Sequence, residues 1–393
     1  MKHKTTLLLA GIFCVLLIGR ANAQQADSCA LRISMLTCGP GEDLYSAFGH
    51  IALRVKNTAT GTDYVFNYGT FDFDDPHFYW KFTRGKLPFS LSADNFSSFM
   101  EEYRIEQRFV KEQVLDISCD ERQAIWAYLQ NNYLPQNRYY KYDYYFDNCS
   151  TRIRDIFANT LGNSWKVPDI LPQKVISFRQ IMNRYLANRP WPSLGINLLF
   201  GLHSDAVMTS WQIMFLPDYL REGLARSSLN NRPVAEKAID IYTPEDPYQD
   251  VAPPFYLTPL FIFSLLGLLV LLLSFSHCKT AEKILPWVDR CLFFLTGLLG
   301  CIMLFMWFGT DHKMCSQNFN LLWAFPLNLV FSFFSQSQKM LAKRYAFFIA
   351  VLNAFLLLGW FLLPQQMPIA MIPLVLALAV RGARLYQRPL LPS

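Results

Sequence analysis

The sequence predicts an α+β domain followed by an all-α transmembrane bundle, and three observations carry that expectation. The first two-thirds of the chain has the character of a polar-surfaced globular protein rich in Tyr and Phe, with alternating apolar residues early and helical spacing later. From Phe255 onward, long apolar runs take over, so the average of 52% hydrophobic and 17% charged residues hides a sharp division. At the N-terminus, Lys2 and Lys4 precede an apolar run from Thr5 to Ile18 and then Ala21-Asn22-Ala23. That order is a signal peptide over residues 1–23 with an Ala-x-Ala cleavage pattern, and it places the following domain in an exported compartment. Cys14 has no lipobox around it. A formal net charge of +6, clustered beside the apolar runs, suits the orientation of membrane helices and argues against nucleic-acid binding.

Taken in order, the chain divides into an α+β domain at 24–190, a helical extension and linker at 191–254, and a membrane domain at 255–385. Leu31–Leu36 alternates like a half-buried strand; Thr37–Glu42 reads as a turn and Asp43–Phe48 as a short helix. His50–Val55 and Asp63–Tyr68 flank the polar stretch Lys56–Thr62, the pattern of a β-hairpin with Gly61 in its turn. Phe71–Pro88 is aromatic and irregular, with Arg84-Gly85-Lys86 as a basic bend. A helix is expected at Ala93–Tyr103, a strand at Arg108–Asp116 and a helix at Cys119–Tyr133. Four cysteines, Cys29, Cys38, Cys119 and Cys149, fall in this domain; Cys29 and Cys119 could pair, but three pairings are open. Without a CxxC pair or a His/Cys cluster, neither a metal nor a cofactor is expected.

Five apolar segments follow: Phe255–Ser276, Cys291–Phe308, about Asn320–Phe334, Tyr345–Leu363 and about Met367–Val380. The third is interrupted by Pro326 and Asn328, and the fifth is short against the roughly 20 residues that a span needs. Lys279, Lys283 and Arg290 follow the first segment, Lys339, Lys343 and Arg344 the third, and Arg381, Arg384 and Arg388 the fifth. By the positive-inside rule these positions are cytoplasmic, and the N-terminal domain lies outside with the Asp311-His312 loop.

The chemistry centres on Asp147-Asn148-Cys149-Ser150-Thr151, a run of capping residues that feeds into helical spacing. A cysteine at a helix start meets unpaired N–H groups and the positive end of the dipole, which favour its thiolate. A nucleophilic Cys149 needs a base, and His50, at the start of a strand, is the best-placed histidine. On spacing alone, a buried or disulfide-bonded cysteine capping a structural helix is the favoured reading. Cys38 is a rival nucleophile that lacks a helix entry.

Leu36–Glu42, Phe48–Val55, Asn67–Phe73 and Phe146–Asp155 resemble the Lnb N-terminal periplasmic domain, and Asp311-His312 followed by Asn318–Pro326 is similar to that family's membrane half. His on a strand before Cys on a later helix also looks like the circularly permuted papain-like (NlpC-like) fold. The resemblance implies a lipoprotein N-acyltransferase in a bacterial inner membrane, with its catalytic domain in the periplasm. It would move an acyl chain from a phospholipid, through a thioester on Cys149, to the α-amino group of a lipoprotein's diacylglyceryl cysteine. His50 is the expected base. Of Asn67, Tyr68 and Asp72, Asp72 is favoured by its charge as the group that orients His50. Arg152, Asp311 and His312 are expected to bind substrate, and the Phe71–Phe89 segment to line an acyl groove. A membrane-anchored papain-like hydrolase of cell-wall peptides or phospholipids would use the same Cys–His pair, and a non-enzymatic assembly factor would need neither.

Overall fold

The computed structural model describes residues 29–389, and the expected signal peptide lies outside them. The alternating patterns of the first third become β1 (Leu31–Cys38), β2 (His50–Asn57), β3 (Asp63–Thr70), β4 (Pro88–Asn95), β5 (Val110–Val114) and β6 (Tyr139–Lys141). Among them lie the helices α1 (Phe78–Thr83), α2 (Phe96–Ile105) and α3 (Cys119–Tyr133), and after them comes α4 (Cys149–Leu161). A small sheet of β7 (Trp165–Lys166), β8 (Ser228–Leu229) and β9 (Arg232–Pro233) precedes β10 (Ile239–Tyr242). The main sheet is antiparallel throughout, in the order β10-β5-β1-β2-β3-β4-β6.

The central strand β1 is buried on both faces. Leu31, Ile33 and Met35 join Ile125 and Leu129 of α3 and Ile153, Ile156 and Phe157 of α4 in one core. Leu36 and Cys38 join Phe99, Met100 and Tyr103 of α2 in another. Each aliphatic side chain so buried contributes about 1.5–3 kcal/mol. The disulfide that forms is Cys29–Cys119, with Cα atoms 5.5 Å apart, and it ties the approach to β1 to the first residue of α3; Cys38 and Cys149 are free and buried.

The expected helix at Ala93–Tyr103 starts later, at Phe96. Ala93, Asp94 and Asn95 extend β4 instead, because they pair with Phe66, Val65 and Tyr64 on β3. The segment expected to be irregular contains the one-and-a-half-turn helix α1. The stretch at 191–254 does more than extend and link: besides its helices it returns to the sheet as the edge strand β10, which pairs with β5.

After α5 (Phe178–Tyr185), α6 (Pro190–Leu199), α7 (Ser210–Ile213) and α8 (Pro217–Arg226) come the apolar helices α9 (Pro259–Phe275), α10 (Lys279–Phe308), α11 (Leu327–Phe334), α12 (Met340–Leu358) and α13 (Ile372–Gln387). Among the described residues, Lys279–Phe308, Met340–Leu358 and Ile369–Gln387 are long and apolar enough to cross a membrane, and α9 is a shorter apolar helix. The third expected span is not one continuous helix. It is a 3-10 turn at Phe319–Leu322 and then α11, whose 8 residues rise only about 12 Å. Pro326 supplies no N–H there, and buried Asn328 donates to Thr296 Oγ1 and the Trp323 carbonyl. Arg381, expected in a loop after the fifth span, lies inside α13. Its guanidinium is buried against Asp289 of α10, at 2.6 and 3.0 Å.

Polar groups fasten the two halves together. Buried Arg179 of α5 pairs with Asp205 (2.9 Å) and donates to Asn197 Oδ1 (2.8 Å) and to the carbonyls of Phe200 (3.1 Å) and Gly201 (3.0 Å). From the membrane half, Asn318 donates to the Leu198 carbonyl (2.7 Å), Asn320 to that of Asn197 (3.3 Å) and Gln365 to that of Phe200 (3.2 Å). These bonds satisfy the orphan carbonyls at the end of α6. Gly201 allows the close approach: a Cβ there would lie 1.9 Å from the Ser316 carbonyl oxygen. Replacing Arg179 with Met leaves the half-buried Asp205 carboxylate and the Asn197 amide oxygen without their charged donor, so a loss of about 3–5 kcal/mol is expected. Thermal unfolding in detergent checks this as a lowered melting temperature.

Candidate active site

Cys149 is the first residue of α4, and Asn148 is its cap. The Asn148 side chain accepts from the Thr151 N–H (2.9 Å), and the Thr151 hydroxyl accepts from the Asn148 N–H (2.8 Å), a reciprocal capping box. The Asn148 amide also donates to the carbonyls of Tyr144 (2.9 Å) and Phe215 (2.8 Å), so the whole buried turn is held from four sides. Gly49, just before His50, takes φ +75°, and a Cβ there would meet the Cys38 carbonyl oxygen at 2.7 Å. A glycine is therefore required to start β2 at this point. His50 then pairs with Cys38 across the β1–β2 ladder.

The helix that Cys149 opens packs on the strand that His50 opens. Burial raises the Cys149 thiol above its usual 9.0. The Ser150 side chain and the N–H groups of Ile51, Ser150 and Cys149 itself pull the other way. The Ser150 hydroxyl is buried and closes no hydrogen bond of regular geometry among the described residues, which leaves it to the sulphur. Desolvation outweighs the donors, so the resting group is a thiol. The expectation from the helix start, a thiolate, names a real but weaker effect.

His50 Nε2 lies 2.5 Å from Asn67 Oδ1. A carboxamide oxygen only accepts, so Nε2 carries the proton and Nδ1 keeps its lone pair. Burial lowers the imidazole to about 4; the Asn67 bond opposes this, and the Arg108 charge adds to it. The imidazole is therefore neutral near pH 7. Cys38, the rival nucleophile, is pushed up to about 12 by burial, only partly offset by a hydrogen bond with Tyr103. Its thiol is a core group.

Residues 20–184 match the family model of the Lnb N-terminal periplasmic domain, and residues 251–388 match that of the Lnb transmembrane domain. The chain is an Lnb-type protein. No curated protein and no solved structure gives a significant match. An Lnb-type chain is a lipoprotein-related membrane protein with a periplasmic N-terminal domain, so β1–β6 and α4 belong to the periplasmic side.

Asp72, favoured to orient His50, is placed elsewhere. Its carboxylate accepts from the Asp74 N–H (2.9 Å) in an exposed turn, and Asn67 holds the histidine instead. Arg152, Asp311 and His312 line one cavity of about 570 Å³, together with Lys141, Tyr142 and Lys313. Each is engaged within it. Arg152 pairs with Asp147 (2.5 Å) and lies over the Tyr140 ring (3.8 Å). The Asp311 N–H donates to the Arg84 carbonyl (3.0 Å), and its carboxylate lies 3.6 Å from Lys141 Nζ. His312 Nε2–H donates to the Thr83 carbonyl (3.1 Å). Tyr142 lies between this cavity and Cys149: a Cβ on Gly69 would be 3.9 Å from Tyr142 Cε2 and 4.0 Å from Cys149 Cβ.

With a raised thiol and a neutral imidazole, the thiolate fraction of Cys149 grows about tenfold per pH unit below its pKa. Alkylation of Cys149 by iodoacetamide is therefore expected to keep climbing through pH 8. A plateau already reached below pH 7, read by mass spectrometry of the labelled peptide, would instead mean a resting thiolate–imidazolium pair.

Proposed function

We propose that this Lnb-type protein is a lipoprotein N-acyltransferase that works through a thioester on Cys149. The observation that carries the reading is a buried thiol at the start of a helix that packs on the strand opened by a neutral, Asn67-bonded histidine, in a domain bolted to membrane helices. Both expected substrates, a phospholipid donor and a diacylated lipoprotein acceptor, are held at a membrane. A periplasmic domain of permuted papain-like type fits the order of His50 and Cys149 along the chain.

In the first half-reaction, His50 Nδ1 takes the thiol proton as Sγ attacks the ester carbonyl of the phospholipid. The N–H groups of Cys149, Ser150 and Ile51 that surround the sulphur are the donors available to the oxyanion. One such donor elsewhere is worth roughly 3–4 kcal/mol. The C–S bond forms, the ester C–O bond breaks, and the leaving lysophospholipid oxygen takes the proton from His50. In the second half, the lipoprotein's α-amino group attacks the thioester and gives a proton to His50; an amide forms, and the sulphur departs and is reprotonated. A neutral base of low pKa releases its proton readily to the leaving oxygen. Arg152 and Lys141 line the adjoining cavity, and their charges would pair with a lipid phosphate once Asp147 and Asp311 yield them.

The decisive test expresses the protein in cells depleted of their own lipoprotein N-acyltransferase. A third acyl chain on a lipoprotein N-terminal peptide, seen by mass spectrometry, is expected; an unchanged diacyl form with the protein folded in the membrane would sink the reading. Cys149→Ala is expected to abolish the acylated product. Asn67→Ala, which frees the imidazole to rotate, should lower turnover roughly a hundredfold and leave the melting temperature nearly unchanged.

A further inference from the structure

Helix α1 carries aromatic side chains that the sheet does not use. Tyr79 is 79% exposed, Trp80 56% and Phe82 53%, and Phe73 in the preceding loop is 64% exposed. Scattered aromatic residues on a surface need no explanation, but a contiguous group does. What covers this group is indicated by its continuity with the membrane half. Trp80 stacks on Phe305 of α10 with ring centroids 5.6 Å apart. Phe305 lies three residues before the periplasmic end of that membrane-crossing helix, about 4.5 Å below it. Trp307 and Phe308 stack on each other there (4.8 Å), and Phe308 is 73% exposed. Arg84 Nε donates to the Gly309 carbonyl (3.2 Å), which pins the bend after α1 to the same helix end. Aromatic rings with flanking Lys81, Arg84 and Lys86 at the end of a span are the composition of a membrane interface.

The inward side of α1 leads to the nucleophile. Phe82 stacks on Phe78 (6.1 Å), Phe78 packs on Phe71 (5.8 Å) and Phe71 on Phe89 (5.2 Å). Phe89 stacks on Tyr142 (4.3 Å), which flanks Gly69 together with Cys149. The contacts form an unbroken line of neutral rings from the exposed helix to Tyr142, which lies across Gly69 from Cys149.

We propose that α1 is seated in the outer leaflet of the bilayer, and that the aromatic line from Phe82 to Tyr142 guides a phospholipid acyl chain to Cys149. The second half of this proposal rests on the acyl-transfer reading; the seating of α1 does not.

The test places p-benzoylphenylalanine at position 79 or 82 of the full chain in phospholipid nanodiscs. A control carries it at Tyr64, 37% exposed near the far end of β3. After irradiation, phospholipid adducts are expected at 79 and 82 but not at 64; equal labelling at all three would overturn the seating. For the route, Tyr79→Ser/Phe82→Ser is compared with the unaltered chain. Acyl-Cys149 formation from bilayer phospholipid is expected to fall at least about tenfold, while acylation by a water-soluble short-chain thioester stays unchanged. An unchanged rate from the bilayer donor would overturn the route. If the unaltered chain forms no acyl-Cys149 from either donor, the acyl-transfer reading and the route fall together, and the cross-links still decide the seating.

Discussion

A helix that starts inside a protein must find partners for its first N–H groups, and the site depends on how α4 meets that demand. Asn148 answers for Thr151 and anchors itself on the carbonyls of Tyr144, just before the helix, and Phe215, far along the chain. The N–H groups of Cys149 and Ser150 are left facing the sulphur together with that of Ile51. A capping interaction usually adds about 1 kcal/mol to a helix. Here the same geometry gathers donors around a buried atom where charge can develop. The cost is visible in the thiol, which burial holds in its protonated form.

Much of this site was legible in the sequence. The run Asp147–Thr151 marked a helix start, and the alternation at His50–Val55 and Asp63–Tyr68 marked the hairpin, because both signals are local. The partner of His50 was not. Asp72 carries the charge that a search for an orienting group favours, but it spends its carboxylate on the turn in which it sits. Asn67 wins through its place on β3 beside β2, which depends on register between strands and on no property of the residue alone. The pairing of β10 with β5 was equally hidden, since a four-residue strand more than a hundred positions away offers no local signal.

The membrane half misled for a different reason. Charge counts treat Arg381 as a loop residue, yet it continues α13 and is buried on Asp289, where each neutralises the other. Pro286 inside α10 would also have argued for a break, and the helix runs through it. Gly297 and Gly300 let α10 approach the backbone around Ala324 and Leu329 closely enough that a Cβ would collide. Periodicity and hydropathy describe one helix at a time, whereas these features belong to pairs of helices.

The junction held by Arg179, Asn318, Asn320 and Gln365 has a geometric consequence. With the end of α6 tied to the membrane half by side chains and by the Gly201–Met314 backbone bond, the periplasmic domain has no free hinge there. The thiol is thus held like a fixed stylus at one height above the bilayer. Whatever meets it must supply the reach.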